Sequence, residues 1–231
     1  MPLDTSVPRT DARPTRPLCA VCELPMRTCL CGLVVRVDNR VDVLVLQHPR
    51  EAREAKGSAR LLRLSLARCR VVVGELFDPA RLAELLHAPG RSSVLLYPAD
   101  AGGHDQGDGD GHALAAPAGA SAGCAATPAQ LVVLDATWRK SLRMLMAHPA
   151  LQALPRLGLE PARSGRYGVL RKARLPTQLS TLEATCAGLA ALEGDAGRYA
   201  PLLGAFGRFV DARAAQAAGH GEHGAADVSA P

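Results

Sequence analysis

Apolar and polar positions fall into blocks along the chain, and the blocks predict short strands followed by helices. Nearly continuous apolar runs are typical of strands that are buried on both faces. Such runs occupy 41–47, 70–76, 92–98 and 131–135, with a shorter candidate at 156–160. Apolar residues at helical spacing occupy 57–69, 79–88, 137–148, 180–194 and 198–216. The alternation of the two patterns predicts an α/β fold with a mostly parallel sheet and flanking helices.

Three segments lack this pattern and are predicted to lie outside the folded core. Residues 1–17 are rich in Pro, Thr and Arg, which predicts disorder, and the tail 217–231 is predicted to be disordered as well. Gly, Ala, Asp and Pro dominate 99–129, which predicts a flexible insertion in a domain that extends over 36–216. The aspartates and histidines of the insertion could hold a metal. Their spacing matches no ligand loop, so a solvated loop is the favoured interpretation.

The charge of the chain favours a nucleic-acid partner. The net charge is +5, and only three of the 27 basic residues are lysines. Arginine forks bind phosphate well, and a basic balance is typical of proteins that bind nucleic acids. The amino-terminal segment lacks the apolar core of a signal peptide, and no apolar run is long enough to span a bilayer. We therefore expect a cytoplasmic protein that does not enter the membrane and whose cysteines stay reduced.

Four cysteines lie close together near the amino terminus. Cys19, Cys22, Cys29 and Cys31 follow the spacing C-x2-C-x6-C-x-C. Four thiolates can close a tetrahedral shell around zinc, and a closed shell leaves no position for a substrate. The alternatives are free cysteines and disulfides, of which a reducing compartment disfavours the disulfides. The spacing predicts a small structural zinc element over 18–35.

The stretch LVVLDATWRKSLRML, residues 131–145, combines a strand, a carboxylate and a basic helix. Asp135 ends the strand, and ligands of parallel sheets bind beyond the carboxyl ends of strands. Thr137 is a candidate helix cap. Trp138 is predicted to share a sheet-packing face, or alternatively to stack on a base. The other members of that predicted face are Leu142, Leu145 and Met146.

Basic residues are concentrated after this carboxylate. Residues 135–175 contain nine basic residues and only two acids, Asp135 and Glu160. Such a segment favours a phosphate-binding surface, although a merely soluble basic face is the plainer alternative. The candidate RNA-binding residues are Arg139, Lys140, Arg143, Arg166, Arg171 and Lys172.

The motif LDATW resembles the D-x-T-W signature of the DTW-domain proteins, the tRNA-uridine aminocarboxypropyltransferases. Further matching motifs follow in the order of that family: the cysteine cluster, VLVLQHPRE, VLLYP, YGVLRKA and QLSTLEA. The resemblance covers about 19–195, interrupted by 99–129. It departs from the family at Ala136, where glycine is common, and at Gly57-Ser58, where Asn-Thr is common.

The resemblance implies a SPOUT-like fold with a knotted C-terminal region and S-adenosylmethionine as co-substrate. It implies transfer of the 3-amino-3-carboxypropyl group to N3 of a uridine in tRNA, with release of 5′-methylthioadenosine. It assigns Asp135, Thr137 and Trp138 to catalysis, with Asp135 as the candidate base for the N3 proton. The candidate co-substrate residues are His48, Glu51, Ser58, Ser180, Thr181 and Glu183. Ser180 and Glu183 also fit a helix capping box, which is sufficient to explain Glu183.

Two other functions are compatible with these motifs. A SPOUT-type RNA methyltransferase would use the same fold and co-substrate but would transfer the methyl group. A non-catalytic zinc-containing RNA-binding module would need the basic segment but neither Asp135 nor His48. The sequence determines neither the oligomeric state nor the tRNA position that is modified.

Overall fold

The computed structural model describes residues 17–54, 57–87, 92–98, 130–159 and 179–219. The predicted insertion 99–129 lies wholly outside these ranges. The ends predicted to be disordered also lie outside them, except for residues 17 and 217–219. Residues 217–219 belong to the last helix rather than to a disordered tail.

A parallel sheet of five strands is the centre of the described structure. Its strand order is β2-β1-β4-β3-β5, and every neighbouring pair is parallel. The strands are β1 Asp42–Gln47, β2 Cys69–Val73, β3 Ser93–Leu96, β4 Gln130–Asp135 and β5 Arg156–Leu157. The predicted α/β class and parallel sheet are confirmed. The described residues do not establish the knot, which stays a prediction.

Helices cover both faces of the sheet. They are α1 Pro49–Ala52, α2 Ala59–Ser65, α3 Pro79–Leu86, α4 Trp138–Ala147, α5 Pro149–Gln152, α6 Thr181–Glu193 and α7 Ala200–Gly219. Sequence analysis did not predict the single-turn helices α1 and α5. Both begin at a His-Pro pair, and proline at the first helical position is a recognised start signal.

Alternate residues of the strands enter two separate hydrophobic cores. Val43 and Val45 of β1 join the core formed with α2, α6, α7 and the cysteine-rich element. Leu44 and Leu46 join the core on the other face, formed with α3, α4 and α5. Because both faces are buried, the strands are apolar throughout rather than alternating.

Helix α6 is held against the sheet along its length. At Gly188 an added Cβ would lie 3.2–3.4 Å from the side chains of Leu96, Leu131 and Leu157, so the helix approaches the strands closely. At its carboxyl end, Glu193 Oε1 accepts hydrogen bonds from the backbone N–H groups of Arg40 and Val41, at 2.7 and 2.9 Å. These contacts direct the amino end of α6 to the carboxyl edge of the sheet.

The predicted packing face of α4 is right for the buried Leu145 but wrong for Trp138 and Met146. Trp138 and Met146 are 55% and 60% exposed, and the residues that α4 buries are Ser141, Met144 and Leu145. The buried face includes a serine, whose hydroxyl donates to the carbonyl of Trp138 at 2.8 Å. Since periodicity counts a serine as a surface residue, it assigned the face one step too far around the helix.

Candidate active site

Asp135 lies at the carboxyl edge of the sheet and is bound by residues from two other elements. Gln47 is its register partner on β1, and the Gln47 side-chain amide donates to Asp135 Oδ2 at 2.7 Å. The hydroxyl of Thr181 donates to Asp135 Oδ1 at 2.5 Å. The carboxylate is therefore oriented through both oxygens, and the residue is only 7% exposed.

The strand order explains why this cluster forms where it does. β1 and β4 are adjacent, and the strands that follow them in the chain, β2 and β5, lie on opposite sides of the pair. The chain therefore leaves the sheet in opposite directions at this point, which is where open α/β sheets bind ligands. A carboxylate offers about four acceptor positions, so the bonds from Gln47 and Thr181 are compatible with a further donor.

The amino end of α6 gathers the hydroxyl groups that the motifs predicted. Ser180 caps α6: its hydroxyl accepts from Glu183 N at 3.1 Å, and Glu183 Oε2 accepts from Ser180 N at 2.8 Å. The capping box is thus confirmed. Ser58 Oγ accepts from Leu182 N at 3.4 Å, which joins the start of α2 to the start of α6.

His48 follows β1 and contacts a glutamate that sequence analysis missed. Its Nδ1 accepts from Arg50 N at 3.1 Å, so a neutral ring carries its proton on Nε2. Nε2 lies 3.2 Å from Glu75 Oε2, and Glu75 Oε1 lies 3.7 Å from Arg143 Nη1. Glu75 comes two residues after β2, at the same edge of the sheet, and this position was the available signal.

Two of the predicted RNA-binding cations contact carboxylates. Lys140 Nζ lies 3.2 Å from Oε1 of the buried Glu51, whereas Arg143 pairs with the partly exposed Glu75 and keeps 68% of its own side chain exposed. Arg139 is exposed on α4. The other three predicted RNA-binding residues lie outside the described ranges: Arg166, Arg171 and Lys172. The RNA-binding surface stays a prediction.

A cavity of about 300 Å³ lies beside the cluster, on the α1–α2 side of the sheet. Its lining includes Gln47, Glu51 and Gly57, Glu23 of the cysteine-rich element, and Arg60 and Arg63 of α2. The volume is at the lower end of the range for small-molecule sites. Its lining shares Gln47 with the Asp135 cluster and Glu51 with the predicted co-substrate residues.

Trp138 stands at the start of α4 and stacks on Tyr97. The two rings are 5.2 Å apart between centroids and 11° from parallel. Because Trp138 is 55% exposed, it does not fill the core. Thr137 occupies the cap position of α4 but its side chain makes no capping hydrogen bond. Burial raises the pKa of the Tyr97 hydroxyl.

The four cysteines fit a tetrahedral metal. Their sulfur atoms all lie within 4.8 Å of one another, with 3.6 Å between Cys19 and Cys31 and 3.7 Å between Cys22 and Cys29. Zinc–sulfur bonds of about 2.3 Å in a tetrahedron place sulfurs about 3.8 Å apart. The backbone N–H of Cys22 lowers the pKa of Cys19 to about 6, whereas burial raises that of Cys31 to about 12. The donor set and its spacing suit zinc.

The cysteine-rich element packs on the main domain rather than standing apart. Cys22, Leu24 and Leu30 belong to the same core cluster as Phe209 of α7. The guanidinium of Arg213, also on α7, donates to the carbonyl of Thr28 at 3.1 Å. A metal bound by the four cysteines would therefore help to hold the last helix in place.

Among the described residues, no helix is both long enough and apolar enough to cross a membrane.

Comparisons with known proteins identify the same family as the sequence motifs. The model of the DTW domain family matches residues 16–214. The chain is 30% identical over 184 residues to tRNA-uridine aminocarboxypropyltransferase 2 of Drosophila melanogaster. That alignment covers 76% of this chain and 66% of the fly protein. No solved structure gives a significant match.

Proposed function

The chain belongs to the DTW domain family, and on that premise we propose that it is a tRNA-uridine aminocarboxypropyltransferase. The proposed reaction moves the 3-amino-3-carboxypropyl group of S-adenosylmethionine to N3 of a tRNA uridine and releases 5′-methylthioadenosine. One observation carries the proposal: Asp135 of the D-x-T-W motif and Thr181 of the S-T-L-E motif are bonded to each other at the carboxyl edge. Motifs that lie 46 residues apart thus supply one site.

The reaction needs a proton acceptor and an aimed carbon. N3 of uridine attacks the carbon of the aminocarboxypropyl group that is bonded to the sulfonium. The C–S bond breaks with its electron pair going to sulfur, and N3 loses its proton. The sulfonium has three neighbouring carbons, so the product depends on which one the site aligns with the nucleophile.

Asp135 is the proposed acceptor of the N3 proton. Gln47 and Thr181 orient its carboxylate, and orientation is the first requirement of a general base. Thr137 and Trp138 complete the motif at the start of α4, beside the acceptor. Glu183, the carboxylate of the S-T-L-E motif, is engaged in capping α6.

The co-substrate is proposed to lie between the Asp135 cluster and the α1–α2 cavity. Glu51 lines that cavity, and Ser58 follows its lining residue Gly57. The cavity is lined by carboxylates and by Arg60 and Arg63, and charges of both signs suit a ligand that carries sulfonium, ammonium and carboxylate groups. The other residues proposed for this role are His48, Ser180, Thr181 and Glu183.

Phosphates of tRNA are proposed to contact the basic residues of α4 and of the segment that follows β5. The contacts involve Arg139, Lys140, Arg143, Arg166, Arg171 and Lys172. Zinc, bound by Cys19, Cys22, Cys29 and Cys31, is proposed to act in folding alone, because four thiolates complete its shell.

Product analysis tests the reaction. The purified protein is incubated with unmodified tRNA and S-adenosylmethionine, and both products are identified by mass spectrometry. We expect 5′-methylthioadenosine and an aminocarboxypropyl-uridine in equal amounts. S-Adenosylhomocysteine and a methylated nucleoside would instead identify a methyltransferase. Binding of tRNA with neither product would identify an RNA-binding module.

A further inference from the structure

Trp138 is the only tryptophan of the chain, and it is 55% exposed. The chain has only seven aromatic residues of the Phe, Trp and Tyr types. Several of the others are nearly fully buried, including Tyr97, Tyr199, Phe206 and Phe209. Among the aromatic residues that the structure describes, Trp138 is the one that is exposed.

The ring of Trp138 is held rather than loose. It lies 5.2 Å from the Tyr97 ring and 11° from parallel to it, and Tyr97 is only 5% exposed. Tyr97 is in turn contacted by Arg156, whose guanidinium lies 5.4 Å from the ring centroid. Arg156 is anchored by a hydrogen bond to the carbonyl of Pro98, at 3.0 Å. The result is a supported flat surface, which a ligand meets without first having to order it.

The surroundings of the Trp138 ring indicate which kind of ligand it would bind. Trp138 opens α4 at the carboxyl edge of the sheet, where β4 ends in Asp135, and the guanidinium of Arg156 lies against its stacking partner Tyr97. An aromatic plate beside cationic side chains is the arrangement that binds a nucleobase by stacking while its phosphate is held by charge.

We propose that the Trp138–Tyr97 pair is a stacking platform for a nucleobase. The inference rests on the proposed function, since the platform would hold a base at the same edge of the sheet as Asp135. Two nucleobases meet in that reaction: a base of the tRNA and the adenine of the co-substrate. The chemistry of stacking is common to both, and the experiment separates them.

Tryptophan emission reports on this ring alone, because the chain has no other tryptophan. The full-length protein is titrated with unmodified tRNA, with 5′-methylthioadenosine, and with polyvinyl sulfate as a polyanion that has no bases. Quenching by tRNA that polyvinyl sulfate does not reproduce assigns the platform to an RNA base. Quenching by 5′-methylthioadenosine assigns it to adenine. If tRNA and 5′-methylthioadenosine both bind and neither quenches more than polyvinyl sulfate, the platform is refuted.

Two substitutions separate stacking from structure. Stacking of one base changes affinity by about 5-fold to 150-fold. Trp138→Leu should raise the KM of the tRNA or of the co-substrate within that range, whereas Trp138→Phe keeps a flat ring and should recover most of the loss. Met146→Ala is the matched control, since Met146 is an equally exposed apolar residue of the same helix. It should change neither KM.

The outcomes also separate the platform from the reaction. Wild-type KM values in Trp138→Leu, with transfer intact, would overturn the platform and leave the transferase. Base-dependent quenching by a wild-type protein that transfers nothing would overturn the transferase and leave the platform. Equal losses in Trp138→Leu and Trp138→Phe, together with a lowered Tm in both, would identify Trp138 as a structural residue and overturn the platform.

Discussion

The hydroxyl of Thr181 donates a 2.5 Å hydrogen bond to the carboxylate of Asp135. The bond joins the first residue of α6 to the last residue of β4, and it connects two motifs that the sequence separates by 46 residues. At the other end of the same helix, Glu193 accepts hydrogen bonds from the two residues that precede β1. Contacts at both ends of α6 therefore fix the position of the Thr181 hydroxyl.

Thr181→Val should slow transfer at least about 10-fold, because it keeps the shape of the side chain and removes the donor that orients Asp135. Thr181→Ser, which restores the hydroxyl, should recover most of the rate. Thr185→Val is the control one turn further along, where the hydroxyl donates to the Thr181 carbonyl at 2.6 Å. It should lower the free energy of unfolding by about 1 kcal/mol and leave the single-turnover rate unchanged. Equal rates in Thr181→Val and the wild type would remove Thr181 from the site.

Gln47→Glu should make stability depend on pH. The substitution replaces a donor with a second carboxyl group 2.7 Å from Asp135. Two carboxylates at this distance repel each other, so the folded variant retains a proton that the unfolded chain has lost at neutral pH. The folded state then binds more protons than the unfolded state, and stability is lost as pH rises. Urea unfolding at pH 5 and pH 7.5 should show a larger deficit relative to the wild type at pH 7.5. An equal deficit at both values would contradict the pairing.

Lys140→Ala and Arg143→Ala should have different effects although both residues lie on α4. Lys140→Ala removes a cation that lies 3.2 Å from the buried carboxylate of Glu51, so we expect a loss of about 1–3 kcal/mol in the free energy of unfolding. Arg143 is largely exposed, and its pair with Glu75 contributes little to stability. Arg143→Ala should instead reduce the salt dependence of tRNA binding by about one unit of slope. An unchanged slope would assign Arg143 to the Glu75 contact alone.

Removal of zinc should destabilise the last helix as well as the cysteine-rich element. Leu24 and Leu30 share a core with α7, and Arg213 of α7 bonds to Thr28. A strong chelator, or Cys29→Ser with Cys31→Ser, should lower the Tm and increase amide hydrogen exchange in α7. Cys69→Ser removes a thiol from β2, outside the cluster, and should retain one zinc per chain. A protein that contains no zinc, or an α7 that stays protected without it, would contradict this coupling.

Sequence patterns predicted the strands because both faces of the sheet are buried, which makes each strand a nearly continuous apolar run. They predicted the long helices because apolar residues recur at helical spacing. They also predicted the carboxyl-edge position of Asp135 and the capping box at Ser180, since each depends on local sequence. The bonds from Gln47 and Thr181 were not predictable, because they depend on which strands become neighbours. The position of Glu75 just after β2 was a local signal, but its contact with His48 depends on β2 lying beside β1.

The exposed position of Trp138 could not be inferred from spacing. Helical periodicity placed it on the buried face of α4. The structure instead buries Ser141 on that helix and His148 directly after it. The polar atoms of both are satisfied inside the protein: Ser141 bonds to the Trp138 carbonyl, and His148 Nε2 accepts from Phe77 N at 2.9 Å. A pattern of apolar residues does not register polar groups that are buried with partners.

The most direct test of the central claim is the single-turnover rate of transfer by Asp135→Asn across pH, with saturating tRNA and S-adenosylmethionine. Asparagine can keep both contacts, because its carbonyl can accept from Gln47 while its amide donates to the hydroxyl of Thr181. Folding and binding should therefore survive. We expect release of 5′-methylthioadenosine to slow on the order of 10²–10⁴-fold near neutral pH, and to recover partly at high pH, where uridine loses its N3 proton unaided. A wild-type rate at neutral pH would show that Asp135 is not the acceptor of the N3 proton.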